Sequence, residues 1–226
     1  MENHIMHHHE HNLILQRHPS SAQRFIVLNQ ERGKITLTVL NQHHARQLHP
    51  GTCFSCVFNH KNTHLYLSTH NLHNITSLSY QNPNDIFWYH HLLELCKAFL
   101  PDHQPHPDAF SFVTNCIKMT STITHTDCNI KDLQSLCTGV LMWLLGFYPP
   151  ENCINLLLLA RSICENGLYQ ANCTSYPFAS LLQNSENKDL EQWIVTCMQS
   201  HPQSHMFKTS ELLRRYHHNG QDHEKD

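Results

Sequence analysis

The chain has 226 residues, with 15 Lys and Arg against 18 Asp and Glu, 23 His and 10 Cys, and a formal net charge of -3. That length suits two small domains with sizeable cores that do not depend on disulfide staples. The longest apolar runs, around residues 140–145 and 154–160, fall short of the roughly 18 residues of a membrane span, and the opening residues lack a secretory pattern, so free thiols and a cytoplasmic setting are expected.

Residues 1–11, MENHIMHHHEH, are polar and show no apolar periodicity, which predicts a disordered His-rich tail. Such a cluster binds borderline metals, but Leu13 stands where a HExxH motif starting at His9 needs its second histidine, which excludes a metalloprotease helix. Leu13–Arg17, Arg24–Leu28 and Lys34–Leu40 read as three short strands, separated by turn chemistry at Pro19-Ser20-Ser21 and Glu31-Arg32-Gly33. In the third, Ile35, Leu37 and Val39 alternate with outward Lys34, Thr36 and Thr38. Residues 41–51 are a polar connector with room for one helical turn, and Cys53–Phe58 with His64–Thr69 read as a hairpin.

Five strands with a longer connection between the third and fourth fit the Greek-key OB-fold barrel over residues 12–80. The exposed face of such barrels often binds single strands by a positive groove with aromatic platforms. Phe54, Phe58 and Tyr66 stack bases if they point outward and fill the core if they point inward. From Asn12 to Tyr80 six basic residues (Arg17, Arg24, Arg32, Lys34, Arg46 and Lys61) stand against one acid, Glu31, whereas from Gln81 onward nine basic residues stand against fifteen acids. A basic front half on an acidic chain recruits anionic partners, and eight histidines in the same segment add charge below neutral pH. Cys53 and Cys56 form a CxxC, but on a strand they point to opposite faces and no second CxxC completes a four-cysteine site.

From Asn82 the periodicity turns helical, and residues 81–218 read as a helical domain followed by a polar tail, 219–226. Asn82-Pro83 caps a helix with Phe87, Leu92, Leu93, Leu95, Cys96, Phe99 and Leu100 on its apolar face, stopped by Pro101. Pro107-Asp108 opens a second helix, and a third runs from about Ile130 to Leu145 with Gly146 as its stop. Pro150–Cys164 is another helix or a buried irregular segment, and Asp189–Met198 and Lys208–Tyr216 carry weaker helical patterns. The fold class is therefore α+β, a five-stranded OB-fold barrel followed by an α-helical domain.

Several stretches resemble the RecO family of recombination mediators: the strand-turn pattern of LILQRHPSSAQRFIVLNQERGKITLTV, the segment AFLPDHQPHPDAF from Ala98 to Phe110, Met142–Pro149 (MWLLGFYP), and Phe207–Leu213 (FKTSELL). In the last, threonine-serine replaces the family's usual serine-arginine. The resemblance implies a protein that binds single- and double-stranded DNA, anneals complementary strands and, with RecR, loads RecA onto strands coated by the single-strand binding protein SSB. It implies a bacterial, nucleoid-associated location. DNA contacts then fall to Arg17, Arg24, Arg32, Lys34, Arg46 and Lys61, with Arg32 and Lys34 favoured by the Gly turn and the outward strand position. Docking of the SSB C-terminal peptide on the helical domain needs a cation beside an apolar cleft, for which Lys118, Lys131, Arg161, Lys208, Arg214 and Arg215 are candidates.

Many members of that family carry zinc on two CxxC pairs. Here Leu156 follows Cys153 and Tyr176 follows Cys173 at the paired positions, and Cys164 joins Cys153 and Cys173 only at a spacing outside structural-zinc patterns. No cofactor is expected. There is no GxxxxGK[ST] phosphate loop and no GxSxG elbow, so the chain is not read as an enzyme. The alternatives are an OB-fold RNA-binding protein and a His-rich metal-binding protein.

Overall fold

The structure, a computed structural model, describes residues 9–61, 64–76, 83–120, 130–166, 184–202 and 207. These residues form an α+β protein that divides into two compact units, Met1–Leu78 with Leu100–Phe110, and Ser79–Phe99 with Ser111–Asp226.

In the first unit the strands are β1 (Glu10–Arg17), β2 (Arg24–Asn29), β3 (Gly33–Val39), β4 (Cys53–Lys61) and β5 (His64–Thr76), with the short helix α1 (Gln42–Gln47) between β3 and β4. Strands β4, β1, β2 and β3 form a curled antiparallel sheet. Strand β5 runs antiparallel along β4 and meets β3 in parallel over the three residues Leu37–Val39, giving the strand order β1-β2-β3-β5-β4. Period-two patterning drives this. On β3, Ile35, Leu37 and Val39 are buried while Lys34, Thr36 and Thr38 are not. Together with Ile14, Phe25, Val27, Leu48, Phe54, Cys56 and Phe58 they make the core of the unit. Phe54 and Phe58 thus fill the interior and offer no ring for stacking a base.

Strands β4 and β5 run on past the expected Phe58 and Thr69, to Lys61 and Thr76, and two further differences bear on the site. Strand β1 begins at Glu10, so the end of the expected tail, Glu10 and His11, belongs to the sheet. Apolar periodicity could not register this, because the inward residues there are Glu10 and Asn12, both buried and both hydrogen-bonded. The second difference is that the segment after the first long helix returns to the strands. His103 donates its backbone N–H to the carbonyl of Lys34 at 2.9 Å, and Lys34 forms a bridge with Asp102. Gly33, at φ 75°, makes this approach possible, since a Cβ there would lie 2.0 Å from the carbonyl oxygen of Gln104.

The second unit is helical: α2 (Pro83–Phe99), α3 (Pro107–Thr120, which begins in the first unit), α4 (Ile130–Leu144), α5 (Glu151–Asn166) and α6 (Asn184–Ser200). The segment 150–164 is therefore a helix and not an irregular run, with Cys153, Leu156, Leu157, Ala160 and Cys164 on one buried face. On α2, Trp88 is the largest fully buried side chain, whereas Phe87 is only half-buried; the indole Nε1 donates to Thr138 Oγ1 of α4 at 3.4 Å. Gly139 lets α4 approach its neighbours closely, because a Cβ there would stand 2.9 Å from both Leu157 of α5 and Leu190 of α6. The ring of Phe99, at the end of α2, packs edge-on against Phe147 and His201 and stacks on Phe207 at 5.7 Å. The helical pattern expected at 208–216 lies outside the described residues, as do the tail 219–226 and residues 1–8. No helix among the described residues is long and apolar enough to cross a membrane.

Candidate nucleic-acid interface

Of the basic residues in the first unit, the two favoured by sequence are the two engaged by acids. Arg32 follows a turn held by Asn29, whose side-chain oxygen accepts the backbone N–H groups of Glu31 and Arg32 at 2.8 and 2.7 Å. That turn aims the guanidinium at Glu10, and Nε and Nη2 donate to its two carboxylate oxygens at 2.7 and 2.6 Å. The same carboxylate accepts from Asn29 Nδ2 at 3.0 Å, and Asn29 bonds in turn to Asn12, whose amide reaches the Cys56 thiol at 3.3 Å. The carboxylate is nearly sealed, with a side-chain exposure of 9 % against 36 % for Arg32. Glu10's hydrogen bonds raise the Arg32 pKa above its ordinary value, and burial, reinforced by the Glu10 charge, pushes the Cys56 thiol up to about 12. Cys56 is therefore an inert core thiol, while Cys53 is half-exposed. Lys34 reaches Asp102 at 3.2 Å, a looser pair because the carboxylate is 73 % exposed.

At the other end of the sheet, where β1 stops, β2 begins and α1 follows β3, the remaining cations gather. Arg17 lies with its guanidinium over the Phe25 ring at 5.3 Å and donates to the carbonyls of Ala45 and Leu48 at 3.1 and 3.2 Å, tying α1 to the sheet. Arg24 is half-buried on β2 and Arg46 is exposed on α1, and among the described residues neither meets an acid. Helix α1 starts on Asn41, whose side chain accepts the backbone N–H of His43 at 2.8 Å, and this cap sets the direction in which Arg46 projects. Lys61 closes β4 opposite His64, and its side chain, like that of Tyr66, lies outside the described residues.

The returning segment also changes the charge. With Asp102 and Asp108 from that segment, and Glu2 and Glu10 from before residue 12, the first unit holds six basic and five acidic residues, a net of plus one in place of the plus five read over residues 12–80. Of the cations considered for peptide docking, Lys118 is exposed in the last turn of α3, Arg161 is half-buried on α5, and Lys131 lies in the first turn of α4 with its side chain outside the described residues. Lys208, Arg214 and Arg215 lie outside them altogether.

The cysteines are arranged differently from the sequence expectation. Cys153 and Cys164 are eleven residues apart on one helix, about 16 Å along its axis, too far to share an ion. Cys173 lies outside the described residues. Cys164 instead meets Cys116 of α3 and Cys137 of α4, and the three sulfurs all lie within 4.8 Å of one another in the core. Cys137 Sγ and Cys164 Sγ are 3.8 Å apart. Burial, then hydrogen bonds with the other two thiols, pushes the Cys116 thiol well above its ordinary value.

No protein-family model matches the chain, and no curated protein sequence matches it. What the geometry defines is a class: an α+β protein whose β unit carries the Arg32–Glu10 pair at one end of its curled sheet and Arg24 and Arg46 at the other. Glu10 and Asp102, missed as partners of the favoured cations, left unequal traces in the sequence. Glu10 is in phase with Asn12 and Ile14 two and four residues on, whereas Asp102 sits 68 positions from Lys34 with no periodic signal.

Proposed function

We propose that the chain is a DNA-binding recombination mediator of the RecO type, whose β unit is an OB-type barrel that holds single strands at the mouth carrying Arg24 and Arg46. The observation that carries this reading is the strand order β1-β2-β3-β5-β4 with β3 and β5 parallel, an order that suits an OB-type Greek-key sheet. Two features support it. The segment 101–106, where the resemblance to that family is sharpest, packs on the β2–β3 turn. The cations that meet no acid among the described residues lie on one end of the unit, as backbone-tracking contacts require. Arg32 and Lys34 serve this function less than Arg24 and Arg46, since a strand would have to displace Glu10 or Asp102 to reach them.

Annealing of complementary DNA strands precoated with SSB, measured with and without the protein at two salt concentrations, tests the proposal. Acceleration that fades with salt is expected. A folded protein that gives no acceleration, or that prefers RNA and ignores SSB, overturns it. Arg24→Glu with Arg46→Glu is expected to weaken single-strand binding and to flatten the salt slope by about 1.4, at roughly 0.7 for each lost phosphate contact. An unchanged slope moves the interface away from this mouth.

A further inference from the structure

The three thiols of the helical core take no part in the nucleic-acid reading, and their arrangement has its own chemistry. Cys116, Cys137 and Cys164 come from three helices, α3, α4 and α5, and all three are buried to 3 % exposure or less. We propose that these sulfurs bind one thiophilic d10 ion, Zn2+ or Cu+, as a three-thiolate site inside the helical unit.

Geometry is the first argument. Two thiolates on one ion at about 2.3 Å stand about 3.8 Å apart in a tetrahedral arrangement and about 4.0 Å apart in a trigonal one. Cys137 and Cys164 are 3.8 Å apart, and the third sulfur lies within 4.8 Å of both. The second argument is chemical. Soft thiolate ligands select Zn2+ and Cu+ over hard cations, and among the described residues no histidine or carboxylate competes within this group. The third is structural. The three residues are separated by 21 and 27 positions, so only the packing of α3, α4 and α5 brings them together, and an ion there would staple three helices in a unit with no disulfide among its described cysteines. Cys116 and Cys137 are not among the positions matched to the paired cysteines of the family described above, so this is a separate ligand set.

Binding replaces S–H bonds by metal–sulfur bonds. Zn2+ with three thiolates releases three protons to solvent and leaves the site at minus one, so affinity rises with pH. Because the sulfurs are sealed in the core, the ion enters as the helices close, and folding with metal is the natural route of loading.

The test uses the full, reduced chain, refolded with one equivalent of Cd2+, and separately with Zn2+ and with Cu+. The expected result is a thiolate-to-Cd2+ charge-transfer band that saturates at one ion per chain, together with a raised Tm. The histidine tail cannot produce that band. Cys137→Ser is expected to lose both signals, while Cys53→Ser keeps them. Should Cys137→Ser fail to fold, X-ray absorption on the unmutated chain decides the matter. A sulfur-dominated shell near 2.3 Å supports the site; a shell of nitrogen or oxygen donors overturns it. No charge-transfer band, or one that survives in a folded Cys137→Ser, likewise overturns it. The arms also separate the ions: three sulfurs alone around Cu+, or three sulfurs with one light fourth ligand around Zn2+.

Discussion

Arg32 and Glu10 show how one pairing redirects a functional assignment. A guanidinium on a Gly turn looks like a phosphate ligand until the strand upstream supplies a carboxylate that takes two of its N–H donors. Removing the arginine leaves that carboxylate buried with only Asn29 as a neutral donor. Arg32→Ala is therefore expected to cost roughly 2–3 kcal/mol of stability, the lower side of a broken buried pair because the arginine itself is partly solvated. Glu10→Gln, which keeps a hydrogen-bonding amide in place, is expected to cost less. Urea unfolding of the two variants checks the order, and equal midpoints would contradict the network. His91 on α2 makes a second residue-scale prediction. Complete burial lowers its pKa from 6.5 to about 4, so between those values the unfolded chain binds more protons than the folded one. Its contribution, about 3 kcal/mol, is present in full above pH 6.5 and lost as pH falls toward 4. His91→Leu is expected to flatten the fall in urea stability between pH 7 and pH 4.5, and an unchanged fall assigns the acid sensitivity to other groups.

At the scale of elements, much was readable in the chain. Strict alternation at 34–39 and broad apolar stripes at 87–99 and 133–144 specify strand and helix through the two periods of side-chain direction. What escaped reading is polar or distant. The start of β1 points Glu10 and Asn12 inward, which reverses the usual sign of the pattern. The hold of segment 101–106 on β3 depends on contacts across about 70 residues, and the three thiols align only once α3, α4 and α5 have packed. For the candidate interface, charge clustering singles out the first unit and favours Arg32 and Lys34 over Arg24 and Arg46, because a sequence gives no partner for any of them. One element-scale test follows from Gly33. A side chain at φ 75° is strained, and its Cβ would collide with the backbone of Gln104. Gly33→Ala is expected to destabilise the first unit by about 2–4 kcal/mol and to raise hydrogen exchange at the N–H of His103. Full protection there would show that the contact forms without glycine at position 33.

For the whole molecule, the chain passes between its two units three times, after residues 78, 99 and 110. A fragment ending at residue 78 keeps all five strands but lacks Asp102, His103 and Gln104, which pack on Lys34 and Gly33. Such a fragment is expected to unfold at lower urea than the same unit in the full chain, and a matching midpoint would make segment 100–110 a passenger. Heredity meets the same constraint. A module bounded by two cuts can be copied, shuffled or fused elsewhere as a single exon-like block, but this β unit includes a stretch encoded after the first helix of its neighbour. The two units would therefore have to be inherited together, and a lineage that exchanged one of them would have to carry the clasp along or find a new one.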